Sequence, residues 1–355
     1  MNADLKEAFS RIKPICDVLM VCPSAESVGA FVSRVTELKK EVVHELQQYL
    51  LFPLITHLKS SETEHKNELQ QRIVDAMTLV LENIIVNSFE MCMKMEIGLL
   101  QIVFDHTQPG MIADIPEELK LSVMNCLTIL HLNVDIKYRE AMLKTYVPLL
   151  GKTVYVAVHI AKLEKLRSLR LAAINCVTAH TVTHAQLTTN YHITSPTLEK
   201  LVVDMLSLIL PGVLGALQDV ATSNDNPGHM LVVTSIDAMH RILCLAMNNK
   251  FMQSSPDLTV DDFAKMIKEK ELREVSSKDP VDPKSLPVRS QEWFSVAGEK
   301  LLLITKSLVS LRCCEHFKVR KELAVYCSRL LCECNIAMVT SVPLALDALI
   351  SLSKD

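Results

Sequence analysis

The stretch HFKVRKELAVYCSRLLCEC, His316 to Cys334, reads as the inner helix of a helical-repeat unit. Its apolar positions Val319, Leu323, Tyr326, Cys327, Leu330, Leu331 and Cys334 fall at helical spacing, so a helix gathers them into one broad stripe. Such a stripe stays dry only if another element covers it. The Val319-Arg320 pair just inside the first turn, behind a short polar turn, is the local pattern of second helices in HEAT repeats.

The same pattern recurs upstream. Residues 1 to 22 form an amphipathic helix that stops at Cys22-Pro23, because the residue before a proline is pushed out of the helical region. A second helix begins near Ser27 and runs on through Glu41 to Lys59, with Pro53 placed to kink its axis. Beyond the polar turn SSETEHKN, Leu69, Ile73, Ala76, Met77, Val80 and Ile84 mark a long helix. Met91 to Phe104 is an apolar helix, a loop spans Thr107 to Pro116, and Glu117 opens a helix carrying Leu119, Val123, Cys126, Leu127 and Leu130. YVPLLGKTVYVAVHIA then precedes Leu166 to His180, and LEKLVVDMLSLILPGVLGAL precedes Gly228 to Met247. Gln291 to Arg312 precedes the stretch quoted first, and VPLALDALISL closes the chain.

Second helices thus start near 66, 117, 166, 228 and 317, and four first helices carry a proline among large apolar residues, at Pro53, Pro148, Pro211 and Pro343. The first spacings are about 50 residues, near the 40 to 47 of HEAT arrays. The last is about 90, and excising the polar stretch Lys250 to Arg289 restores about 50. The expected fold is all-α: a HEAT/armadillo-type α-solenoid of stacked antiparallel helix pairs, one array over residues 1–355. Residues 250–289 are expected to form an insertion with a short charged helix near Asp262 to Glu274, and 340–355 the terminal helix of an incomplete repeat. Ser255-Pro256 and the SSKD segment of the insertion are candidate phosphorylation sites.

Composition agrees. Apolar residues make up 49% of the chain, too many for disorder, and 8 glycines and 6 tyrosines are too few for an all-β chain. A net charge of −4 gives no broad cationic surface, which disfavours nucleic acid as a partner. The 11 cysteines are odd in number and sit mostly among Leu and Val, as reduced buried thiols of an intracellular protein do, so the cytoplasm is the expected compartment, with the nucleus a second. The charged N-terminus has no apolar signal core. The most apolar run, Leu201 to Leu217, contains Asp204 and Pro211 and falls short of the roughly 20 residues of a membrane span.

Few residues suggest chemistry. Cys313, Cys314, Cys327, Cys332 and Cys334, with His316 nearby, lack the paired C-x-x-C spacing that wraps zinc, and Cys327 and Cys334 belong to the buried stripe. His180 and His184 stand one turn apart without the glutamate of an HExxH site. No Gly-rich phosphate loop, nucleophile elbow or dinucleotide fingerprint is present, so neither a catalytic residue nor a metal or cofactor site is assigned and an enzyme is not expected. Arg167, Arg170, Lys318, Arg320 and Lys321 lie at the starts of second helices, where stacking would align them into a basic ridge for an acidic partner segment. Trp293, the single tryptophan, is a further candidate partner anchor, or a cover for the end of the core.

The segments HELQQYLLFPL, EELKLSVMNCL, GHMLVVTSIDA, EWFSVAGEKLLLITKSLV and HFKVRKELAVYCSRLLCEC together resemble the Tel-two-interacting protein one family, in order and spacing over most of the chain. The resemblance implies a HEAT-repeat scaffold without catalysis. With Tel-two and Tti-two it would support maturation and assembly of phosphatidylinositol-kinase-related kinases, mTOR and the DNA-damage checkpoint kinases among them, alongside the Hsp-ninety machinery. Members of that family run much longer, so the likeness covers their N-terminal part; the last helix here would lack its partner, as in a fragment or short form, or would cap the array with a more polar outer face, and no binding residue is carried over. A HEAT adaptor of another class, a transport receptor or a phosphatase scaffold, would share the fold.

Overall fold

Helices begin where the sequence supplies a cap. Ser24 and Ser27 close a capping box, and the side chains of Ser88, Asp135, Ser195 and Ser290 each accept a first-turn N–H, a device that stabilises by about 1 kcal/mol. The computed structural model describes residues 3–58, 66–105, 111–182, 195–223, 227–252 and 289–353. In chain order its α-helices are α1 (Ala3–Val21), α2 (Ala25–Thr36), α3 (Lys40–Glu45), α4 (Gln47–His57), α5 (Lys66–Leu81), α6 (Phe89–Val103), α7 (Glu117–Leu132) and α8 (Ile136–Thr145). They continue as α9 (Val147–Leu163), α10 (Arg167–Thr181), α11 (Pro196–Ala221), α12 (His229–Ala246), α13 (Gln291–Val309), α14 (Phe317–Glu333) and α15 (Val342–Leu352). Two isolated bridges, Val86 with Val134 and Phe104 with Ile112, are the sheet-like pairings among the described residues.

Packing sorts these helices into two rows. α2, α5, α7, α10, α12 and α14 each touch the next in one row, and α1, α4, α6, α9, α11, α13 and α15 do so in the other. Cross-row contacts such as α4 with α5, α9 with α10 and α11 with α12 close each pair. This is the expected α-solenoid, with its core between the rows. The stripe of α14 is buried as the periodicity requires: Leu323, Cys327, Leu330 and Cys334 are fully covered, Val319 and Tyr326 nearly so, and Leu331 is half-buried. Tyr326 reaches Thr305 of α13 through a buried 3.0 Å hydrogen bond between hydroxyls. Gly298 lets α13 approach the turn after α14: a methyl there would lie 2.9 Å from the carbonyl oxygen of Ala337.

The structure departs from the sequence reading at two places. The long second helix is three helices, α2, α3 and α4, because Val28, Phe31 and Val35 face α1 and α5 whereas Leu50, Leu51 and Leu54 face α1, α5 and α6. One straight rod cannot present both faces, and the chain breaks at Lys39 and Leu46. The second place is α8, a helix absent from the sequence reading, whose segment IKYREAMLKT is too charged to show an apolar stripe. Of the four prolines, Pro53 and Pro211 lie inside helices, while Pro148 and Pro343 open α9 and α15, where no amide donor is needed.

α11 extends over 26 residues, longer than its most apolar run, and with the stretch 229–251 meets the length and hydropathy of a bilayer span. Half of the apolar window in α11 and 72% of that in the second stretch are nonetheless buried in the array, against α9, α13 and each other. The region expected to form a charged helix near Asp262 to Glu274, with Ser255-Pro256 and SSKD, lies outside the described residues, as does His184.

Candidate functional site

Two successive repeats, α6–α7 and α9–α10, meet at Glu96. Its carboxylate, on α6, is fully enclosed and accepts from three directions: His131 Nε2 at the end of α7 (3.1 Å), His180 Nε2 at the end of α10 (3.4 Å) and the Thr153 hydroxyl on α9 (2.7 Å). The two imidazoles overlap with centroids 3.6 Å apart. His180 also donates from Nδ1 to the carbonyl of Cys176 (2.8 Å). Burial by itself would raise the Glu96 pKa, but the two imidazoles reverse this and hold it below the usual carboxylate range. His131 is pushed down to about 4, first by burial and then by His180. His180 is raised to about 10, since its contacts with Cys176 and Glu96 outweigh burial. The cluster at neutral pH therefore holds one carboxylate, one imidazolium and one neutral imidazole.

Arg139 of α8 extends this buried system. It is 1% exposed and donates to the carbonyls of Ala179 (2.9 Å) and Val182 (2.6 Å), which closes the C-terminal end of α10 and opposes its dipole. Glu96, His131 and His180 set three ligand-type atoms within 4.8 Å of one another, and so do Asp237, His240 and Glu322. In the second trio His240 donates to Glu322 (2.8 Å) while Arg329 donates to its Nδ1 (3.0 Å), which ties α12 to α14. In both trios the hydrogen bonds join neighbouring helices of the array. The cysteines of the Cys313 to Cys334 region do not converge: Cys313 and Cys332 are exposed, whereas Cys327 and Cys334 lie in the core.

The basic residues of the second-helix row divide in two. Arg170 and Arg320, each the fourth residue of its helix, turn back onto carbonyl oxygens, of Ala161 (2.8 Å) and of Cys314 and Glu315 (2.9 Å each). Lys120 holds the same position in α7 and reaches Glu164 at 2.6 Å, nearly buried. In α10 and α14 the cation closes carbonyls of the helix or turn just before it, whereas in α7 it reaches across to the C-terminal end of α9; sequence spacing alone did not reveal these duties. Arg167, Lys318 and Lys321 remain at the exposed rim. Arg167 lies over Gly228, whose φ of 85° and lack of a side chain bring the guanidinium carbon within 3.6 Å of where a methyl would stand. Beside it, His229 stacks on His316 at 3.8 Å and 6°, and His316 lies against Phe317. The starts of α10, α12 and α14 thus form one continuous edge. Trp293 is not part of it: it opens α13 at the other end of that helix pair, half-buried against the core and edge-to-face with Phe294. A separate groove between α4 and α6 is lined by Phe52, Ile55, Met91 and Ile97.

A protein-family model described as the TTI1 N-terminal TPR domain matches residues 9–355. The chain belongs to this TTI1 family. Spacing between second helices of about 50 residues is nearer the HEAT than the 34-residue TPR period, but both are stacked helical hairpins of this two-row kind. TELO2-interacting protein 1 homologs of Homo sapiens and Mus musculus are each 26% identical over 99% of this chain. The chain spans 31% of the length of those relatives. An engineered protein of known crystal structure aligns over the whole chain at 13% identity with a TM-score of 0.40, too slight a likeness to carry an argument.

Proposed function

We propose that this chain is a non-catalytic scaffold that holds protein partners along its helical rows, as the N-terminal part of a TTI1-type subunit. The observation that carries the reading is the match to the TTI1 N-terminal family over 9–355, together with relatives whose name states interaction with TELO2. The proposed partners are Tel-two, Tti-two, phosphatidylinositol-kinase-related kinases and the Hsp-ninety machinery. The proposed outcome is maturation of those kinases, in the cytoplasm and nucleus. Two features support positioning in place of bond-making. The fully enclosed ionisable cluster at Glu96 spends its donors on joining helices, and the exposed basic residues Arg167, Lys318 and Lys321 sit at helix starts.

Affinity purification of the tagged chain from native lysate, followed by mass spectrometry, tests this. Recovery of Tel-two, Tti-two or the large kinases is the expected result. Recovery of transport cargo or phosphatase subunits in their place would replace this scaffold with the adaptor of another class.

A further inference from the structure

We infer that Glu96, His131 and His180 form a closed structural zinc site that locks α6 and α7 to α10. The inference does not depend on which partner the scaffold holds.

The donor set is two imidazole nitrogens and a carboxylate, ligands that suit zinc, and their atoms lie within 4.8 Å of one another in a fully enclosed place. Their spacing suits a shared metal better than hydrogen bonds alone. A charge-assisted N–H···O bond runs about 2.7–2.9 Å, whereas the contacts of His131 and His180 with Glu96 are 3.1 and 3.4 Å. Two atoms each about 2.0–2.1 Å from a zinc ion, at a tetrahedral angle, stand about 3.3–3.4 Å apart. Each nitrogen also faces a different carboxylate oxygen, Oε2 for His131 and Oε1 for His180, so Glu96 can bind through both.

The tautomers point the same way. His180 commits its Nδ1 hydrogen to the carbonyl of Cys176, the usual outer partner of a metal-bound histidine, so the Nε2 that faces Glu96 must hold either a proton or a metal. His131 Nδ1 is buried without a hydrogen-bond partner among the described residues, so no such bond holds its ring to the tautomer with hydrogen on Nε2. The trio of Asp237, His240 and Glu322 fails this test. Arg329 donates to His240 Nδ1, so the neutral ring keeps its hydrogen on Nε2 and gives it to Glu322. Around Glu96 the Thr153 hydroxyl supplies an outer hydrogen bond that fixes the carboxylate from α9. Zinc displaces the His180 proton, so the ionisation described above is that of the metal-free chain. The exchange adds one positive charge. Both histidines stand in the last turn of their helices, where the negative dipole end favours a cation, although Arg139 takes up part of that field at α10.

The test uses the full chain, expressed with zinc in the medium, washed with EDTA and assayed for metal by elemental analysis. A site this enclosed should keep its ion through a wash that strips surface metal, so about one zinc per chain should remain. Glu96→Gln and His131→Gln should each lose it. Cys22→Ser combined with Cys313→Ser and Cys332→Ser removes the exposed thiols and should keep it. Circular dichroism shows which variants still fold. If neither site variant folds, wild type grown with cobalt decides: tetrahedral ligand-field bands in the visible, without thiolate-to-cobalt charge transfer in the near ultraviolet, support the site. Charge transfer from thiolate, or absence of the tetrahedral bands, overturns it. Folded wild type that keeps no zinc overturns the inference, as does a folded Glu96→Gln or His131→Gln chain with the wild-type zinc content. Loss of the zinc from the triple serine variant also overturns it, since the metal would then be an adventitious ion only.

Discussion

Glu96 shows what one side chain does in a helical array. Each hydrogen bond to its carboxylate comes from a different helix, so loss of the charge loosens α7, α9 and α10 against α6 together. Glu96→Gln keeps the shape but leaves the His180 imidazolium buried without its counter-charge, which should destabilise by about 3–5 kcal/mol. Urea unfolding of the variant checks this, and a midpoint like the wild type's would mean the cluster is not charged. The two histidines act in opposite senses with pH. His131, depressed to about 4, binds fewer protons folded than unfolded, so its contribution falls as pH drops from about 6.5 through about 4. His180, raised to about 10, binds more protons folded than unfolded, so its contribution is full below about 6.5 and is lost as pH rises through about 10. Glu96, held low, adds to the acid-side loss. His180→Gln should therefore flatten the decline in stability between about pH 6.5 and 10 while the acid side still falls. Denaturation midpoints across that range decide it: an unchanged alkaline slope would rule out a charged His180.

The helix α14 is where sequence and structure agree most closely. Its stripe was legible because every position in it answers to the same 3.6-residue period, and the residues named from that period are the covered ones. Leu323 is fully buried at its centre, so Leu323→Asp puts an unpaired carboxylate into the core and should cost more than about 4 kcal/mol. Thermal unfolding of the variant would show the last pair lost; a melt equal to the wild type would mean that this face is not covered. α8 illustrates the opposite case. Nothing in its composition shows a stripe, and it is placed by Asp135 at its start and by the buried Arg139. Arg170 and Arg320 were likewise legible as basic and first-turn, but not as partners of carbonyls, because those carbonyls belong to the preceding helix and loop.

Among the described residues the helices pack chiefly on their neighbours in the two rows, so stability accumulates along the array. α6 to α10 share the Glu96 cluster and the Arg139 cap on top of their apolar contacts. Hydrogen exchange followed by mass spectrometry should show the slowest amides in α7, α9 and α10 and faster exchange in α1, α2 and α15. Uniform protection along the rows would argue that the array opens as one unit. The sequence by itself determined the helical class, the alternation of first and second helices, the polar breaks and the family resemblance. These follow from period, caps and prolines, which act over a few residues. Only the tertiary structure decided that Glu96 meets His131 and His180, 35 and 84 residues away, and that Gly228 and His229 join two separated basic clusters into one edge. A polar group's partner is set by how helices stack, and no local spacing encodes it.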